Sequence, residues 1–175
     1  FTKKRIFNAG LNEKVDIKFL DYRDLKGKYD SIASIEMIEA VGEKYLDKYF
    51  STIKENLKPR GIGAIQAIII RDELFERYRK NEDFIQKYIF PGGFLPSLHS
   101  IKSHCRQSGL ELTGYNSYGS HYSNTLKEWR GNFARSWNDI SKQGFDLSFK
   151  KIWDFYFSYC EAGFKSKNID LIQFS

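Results

Sequence analysis

Apolar positions along this chain switch between two spacings, and the switches outline alternating strands and helices. Val15, Ile17 and Phe19 alternate with Asp16 and Lys18 as the residues of a strand do, and the polar residues 21–24 then read as a loop. A second strand is expected over residues 29–35. Leu46, Tyr49, Phe50, Ile53 and Leu57 fall three or four apart, the stripe of an amphipathic helix that Lys58-Pro59-Arg60-Gly61 stops. Residues 62–70 are apolar on both faces, which predicts a central, parallel strand. Residues 73–88 read as helical and lead into Pro91-Gly92-Gly93-Phe94-Leu95-Pro96, a loop of the kind that forms lids and binding segments. A helix from Ser97 to Ser108 stops at Gly109, and a strand follows over residues 110–118. Residues 122–164 are mainly helical and rich in Trp and Phe, and residues 168–174 alternate as a closing strand. The expected architecture is a single α/β domain over residues 1–175. Its sheet is open and mostly parallel, with helices on both faces and helical insertions over one edge.

Composition narrows the function classes. With 15 Phe and 11 Tyr the aromatic share is 17%, more than a core of this size uses, which points to a pocket or surface for something apolar. The net charge is +6, but the basic residues are dispersed among 22 acidic ones. That pattern weakens a nucleic-acid reading and leaves an anionic phospholipid surface, or solubility alone, as what the positive charge serves. The longest apolar run, residues 62–70, is broken by Gly63 and Gln66 and is far too short to cross a bilayer. Phe1-Thr2-Lys3-Lys4-Arg5 does not open a signal peptide. Cys105 and Cys160 lack metal-ligand spacing, so no metal is expected, and both read as reduced thiols of a cytoplasmic protein.

The candidate chemistry lies in Ile35-Glu36-Met37-Ile38-Glu39-Ala40-Val41-Gly42. A β-branched run ends there in two acids that a buried strand has no packing reason to carry. Ligands of open α/β sheets bind beyond the carboxyl ends of strands, and a carboxylate placed there costs free energy unless something compensates it. Glu39 is therefore the first candidate. The competing reading is a helix-start glutamate that favours the helix dipole.

Several blocks occur in a fixed order: Asp21-Tyr22-Arg23-Asp24-Leu25, Glu39-Ala40-Val41-Gly42, Asn56-Leu57-Lys58-Pro59-Arg60-Gly61, Tyr88-Ile89-Phe90-Pro91-Gly92-Gly93, His121-Tyr122-Ser123-Asn124-Thr125-Leu126 and Tyr159-Cys160-Glu161-Ala162-Gly163-Phe164. With these the chain resembles the cyclopropane-fatty-acyl-phospholipid synthase and mycolic acid cyclopropane synthase family over nearly all 175 residues. The resemblance implies a Rossmann-like, S-adenosylmethionine-dependent methyltransferase fold, of which this chain is the C-terminal part without the glycine-rich cofactor loop. It implies S-adenosyl-L-methionine as cofactor and membrane phospholipid with unsaturated acyl chains as substrate, met at the inner face of the membrane. The implied reaction is attack of a cis double bond on the sulfonium methyl, loss of a proton and closure of a cyclopropane ring. Bicarbonate is the implied base.

By motif position, Glu39 and Tyr122 match the glutamate and tyrosine that hold the bicarbonate. Gln66 stands where a histidine is usual, and Ile68 matches a residue whose backbone joins the site. Cys160 matches the cysteine regarded as catalytic, and Tyr22 and Arg23 match positions that flank the adenine. Physical chemistry weights these unequally. The alkene attacks the methyl directly, so Cys160 is expected to line the pocket rather than act as nucleophile. A packed aromatic is the alternative for Tyr122, an internally bonded amide for Gln66, and a solvated loop charge for Arg23. Asp21 and Asp24 are expected to cap the loop, His121 to orient Tyr122, and His99 and His104 to be structural. Without a glycine-rich turn the chain is expected to bind cofactor poorly alone. An open sheet edge would make it self-associate, which light scattering reads directly. The alternatives for function are a methyl-branched or methylene lipid product, or a non-catalytic lipid-binding role.

Overall fold

A computed structural model describes all 175 residues. Its elements are α1 (Thr2–Asn8), β1 (Tyr29–Ile35), α2 (Ile38–Val41), α3 (Leu46–Asn56), β2 (Leu57–Ile70), α4 (Asp72–Tyr78), α5 (Phe84–Tyr88), α6 (Leu98–Gln107), β3 (Tyr115–Ser117), α7 (Gly119–Arg135), α8 (Trp137–Ser141), α9 (Leu147–Lys165) and β4 (Ile169–Phe174). The four strands form one sheet in the order β1-β2-β4-β3. β1 pairs parallel with β2, whereas β4 runs antiparallel to both β2 and β3. Three strands thus share a direction and β4 alone is reversed. The expectation of a mostly parallel sheet holds for direction but not for pairing, because the reversed strand sits between two of the others.

Alternation along β2 and β4 divides the core into two layers. Ile65, Ala67 and Ile69 of β2, with Ile172 and Phe174 of β4, face α3 and α6 and pack with Tyr49, Phe50, Ile53, Ile101 and Cys105. Leu171 faces the other way, with Ile68 against the same side, and meets Leu126 of α7 and Phe157 and Phe164 of α9. The sheet is therefore covered on both sides, and α7–α9 form the expected helical insertion.

Several boundaries differ from expectation for identifiable reasons. Residues 15–20 form no strand: no neighbouring strand offers them a ladder, and Phe19 lies wholly in solvent. Lys58-Pro59-Arg60-Gly61 ends the helix but already belongs to β2, as a bulge opposite Asp30 with Arg60 at φ +66°. The helical span expected over 73–88 is two helices, and α5 starts afresh at a reciprocal Asp83–Gln86 cap. Only Tyr115–Ser117 of the strand expected over 110–118 pairs. The outer edge of β1 has no partner strand, and Ile35 of β1 and Ile62 of β2 are 62% and 61% exposed.

Candidate active site

The site is built where β1 stops before β2 does. The β1–β2 register ends at Ile35 and Gln66, so the N–H groups of β2 beyond Gln66 have no strand on that side. The chain leaves β1 through Glu36, whose φ of +49° is left-handed, and its N–H donates to the Gln66 carbonyl at 2.9 Å. One turn of helix, α2, then carries Glu39 back over the end of β2. There the Ile68 N–H donates to Glu39 Oε1 at 2.5 Å. The other oxygen, Glu39 Oε2, is buried without a hydrogen-bond partner. The Phe94 N–H donates to the Glu39 carbonyl at 2.8 Å, which ties the Pro-Gly-Gly loop to α2.

A second carboxylate lies beside the first. Glu36 Oε1 accepts from Gln66 Nε2 at 2.7 Å, and Glu36 Oε2 accepts from the Tyr122 hydroxyl at 3.1 Å. Gln66 Oε1 in turn accepts from Gln173 Nε2 at 2.7 Å, its register partner on β4. A polar chain therefore runs from β4 through β2 to the tip of β1 and up to α7. Neither Glu36 nor Glu39 forms an ion pair with any basic residue. Burial pushes the Glu39 carboxyl above its ordinary range, the Ile68 N–H works against that shift, and the neighbouring Glu36 charge adds to it.

Aromatic and thiol groups of α7 and α9 close the other side. The Tyr122 ring lies 4.9 Å from that of Phe164, and burial pushes its hydroxyl up, aided by Glu36. Tyr156 and Cys160 lie one turn apart on α9, and burial pushes the Tyr156 hydroxyl up, with Cys160 and Glu36 adding to the shift. Burial pushes the Cys160 thiol up to about 12, with Asp83 adding to the effect. Phe90 of the Pro-Gly-Gly loop meets Tyr156 edge-on at 6.0 Å. Farther out, Phe84 packs on Phe155 at 4.6 Å and on Tyr88 at 5.5 Å.

The sequence candidates thus fall into groups. Glu39 and Ile68 touch directly, whereas Gln66 and Tyr122 meet on Glu36 rather than on Glu39. Cys160 lies on the α9 wall beside Tyr156. Tyr22 is half-buried, edge-on to Tyr49 at 6.0 Å, whose hydroxyl donates to Ser34 near the end of β1. Arg23 is committed elsewhere: its guanidinium makes a two-point contact with Asp21 at 3.0 and 2.7 Å, which holds the Asp21 carboxyl down to about 2. Asp21 also caps the turn through the Arg23 N–H at 2.9 Å, as a loop-capping residue should. His121 is exposed and lies against Tyr118, so the expectation that it orients Tyr122 fails. His104 bonds the Ser100 carbonyl and stacks on Phe50, a structural role. Glu36 is the residue that sequence reasoning passed over. Its signal was present: a second acid in the same turn, opposite a glutamine in place of an ionisable imidazole.

Residues 1–174 match the family model for mycolic acid cyclopropane synthetase. The chain is 40% identical over 174 residues to tuberculostearic acid methyltransferase UfaA1 of Mycobacterium tuberculosis, covering 99% of this chain and 41% of that protein. It is 34% identical over 164 residues to cyclopropane-fatty-acyl-phospholipid synthase of Escherichia coli K12, covering 92% and 41% respectively. Among solved structures, mycolic acid cyclopropane synthase CmaA1 complexed with SAH and CTAB superposes with a TM-score of 0.78 at 26% identity, over 90% of this chain and 58% of that one. The cyclopropane synthase MmaA2 from Mycobacterium tuberculosis shares the fold with a TM-score of 0.80 at 20% identity, over 98% and 64%. This chain spans 41% of the length of the two curated relatives named here.

Proposed function

Because this chain belongs to the mycolic acid cyclopropane synthetase family, we propose that it forms the acyl-chain side of an enzyme that modifies unsaturated phospholipids. The reaction adds a one-carbon unit from S-adenosyl-L-methionine to a cis double bond and closes a cyclopropane ring. The observation that carries this reading is the pair of carboxylates, Glu36 and Glu39, held without a basic partner beneath an aromatic wall. When bound, S-adenosyl-L-methionine supplies a methyl group open to attack by an alkene. Tyr22 suits the cofactor side, since its half-buried ring packs edge-on against Tyr49, whose hydroxyl reaches Ser34 near the carboxyl end of β1. Arg23 would first have to leave Asp21.

The chain's own residues then deal with charge. A positive carbon in an apolar cleft is stabilised by fixed negative charge and by the electron-rich faces of aromatic rings. Glu39 and Glu36 supply the first, and Tyr122, Tyr156 and Phe90 the second. The part-buried rings of Phe84, Tyr122 and Tyr156 keep water from the cation, which would otherwise be trapped as an alcohol. Exposed Tyr88, Phe90, Phe155 and Tyr159 line the mouth, and Lys87 lies over the Tyr88 ring. This face is proposed to meet the phospholipid surface. No helix is long and apolar enough to cross a membrane.

Mass spectrometry of phospholipids from cells expressing the full-length protein tests the reading. A gain of one CH₂ per acyl chain with the double bond consumed is the expected result. A CH₂ gained with the double bond retained, or with two further hydrogens, would make the product methylene- or methyl-branched. The 40% identity to a tuberculostearic acid methyltransferase favours that second reading. Unchanged lipids would leave only a lipid-binding role.

Cys160 is proposed to line this site without forming a bond to substrate. A thiol pushed up to about 12 is protonated at neutral pH and is a poor nucleophile. Turnover of Cys160→Ala in the full-length protein is expected to stay within about tenfold of the parent, far from the loss that removing a covalent nucleophile causes. A loss of about 10³-fold or more in a folded variant would restore the cysteine to the chemistry.

A further inference from the structure

We propose that the Glu36 carboxylate is a resident substitute for bicarbonate, so that this enzyme carries its own proton acceptor and needs no exogenous anion. The inference rests on the function proposed above and concerns the same site. The groups that the family resemblance assigns to bicarbonate are Glu39, Gln66, Tyr122 and the Ile68 backbone. In this chain their donors are spent. The Ile68 N–H serves Glu39, while the Gln66 amide and the Tyr122 hydroxyl serve the two oxygens of Glu36. A bicarbonate entering here would take donors from two carboxylates and add a third negative charge where no basic side chain compensates it. The residues present do not fit that anion.

Three features show that Glu36 is built into its place. Its left-handed backbone is a conformation that a residue bearing a Cβ adopts at a cost of about 1–2 kcal/mol, offset only where the surroundings hold it. The Gln66 amide is fixed in orientation, because its oxygen accepts from Gln173 and its nitrogen must then face Glu36. An amide also donates at every pH, whereas an imidazole in that position would titrate. Both donors to Glu36 are neutral, so they aim the carboxylate without cancelling its charge.

The step balances within the site. After the one-carbon unit has joined the alkene, a C–H bond of the new carbon breaks, and its electron pair forms the last C–C bond of the ring. The proton passes to a Glu36 oxygen, and the carboxylate becomes a carboxylic acid that later releases the proton to water.

The test uses the full-length protein with S-adenosyl-L-methionine and vesicles of phospholipid with unsaturated acyl chains. Turnover in CO₂-depleted buffer is expected to equal that with added bicarbonate within about twofold; a tenfold or greater drop on depletion, reversed by bicarbonate, would overturn the proposal. Glu36→Gly is the informative variant, since glycine takes a positive φ freely and leaves the Gln66 and Tyr122 donors empty. Its turnover is expected to fall by about 10²-fold or more and to recover at least about tenfold with bicarbonate or formate, to which the parent does not respond. Glu36→Gln fills the place without a charge and is expected to fall equally without recovery. A Glu36→Gly variant as fast as the parent without added anion counts against the idea. Thermal unfolding supplies a readout that needs no turnover: formate, against chloride at equal ionic strength, should raise the melting temperature of Glu36→Gly and not of the parent. If the parent modifies no lipid, the proposed function fails. The melting shifts still decide this inference, and an equal formate response in parent and variant would sink it.

Discussion

Glu39→Gln in the full-length protein is expected to lower lipid modification by about 10²–10³-fold while leaving the fold at least as stable as the parent at neutral pH. The two effects separate because the glutamate serves charge, not packing. Glutamine keeps an oxygen to accept from the Ile68 N–H, so the tie between α2 and β2 survives. What disappears is a buried carboxylate whose second oxygen has no partner, and burying a neutral amide costs less than burying an ion. The linkage to pH has a definite sign. The folded Glu39 carboxyl is raised above its ordinary range, so between the unfolded and folded values the folded chain holds the proton more tightly than the unfolded one. Stability from this group is therefore greatest below the ordinary carboxylate range and is lost as pH rises through the raised folded value. Melting curves of parent and variant should diverge over that window in the variant's favour. Activity within tenfold of the parent, or a variant that melts lower at every pH, would remove Glu39 from the role assigned to it.

The same balance explains which parts of the site were legible in the sequence. A strand run that ends in acids is a local conflict between burial and charge, and Glu39 stood out because nothing nearby in sequence resolves it. Ile68 follows once the sheet is known, since its N–H lies past the end of β1. Glu36 did not stand out, because its role needs three things that no single segment contains. These are a left-handed turn, the Gln66–Gln173 register across β2 and β4, and a hydroxyl from α7. Arg23 is paired locally: a partner only two residues away, Asp21, holds its guanidinium. Among the elements, the α3 stripe could be read because its four positions Leu46, Tyr49, Phe50 and Ile53 are buried, as is Leu57, which the structure places at the start of β2. The alternation over residues 15–20 has the same local quality and forms nothing, since a strand's stability comes from neighbours that periodicity does not report.

Phe50→Ala is expected to cost about 3–5 kcal/mol, much of the roughly 5–15 kcal/mol that holds a domain folded. Phe50 is 0% exposed, meets the Tyr49 ring edge-on at 5.1 Å and stacks on His104 at 6.0 Å. It joins α3 to α6 in the larger core layer, and neighbours that are themselves fully buried cannot collapse into the space it leaves. The melting temperature should fall by about 6–20 °C, with a lower urea midpoint and an unchanged slope. Leu147→Ala, at a position 67% exposed, is the matched control and should shift stability by no more than about 0.5 kcal/mol. The effect should also reach the site, since the adjacent Tyr49 hydroxyl holds Ser34 near the end of β1, two residues before Glu36. Below its new melting point the variant should therefore lose turnover faster on warming than it loses helical circular dichroism. If the two signals instead fall together, α3 supports the fold without fixing the position of the carboxylates.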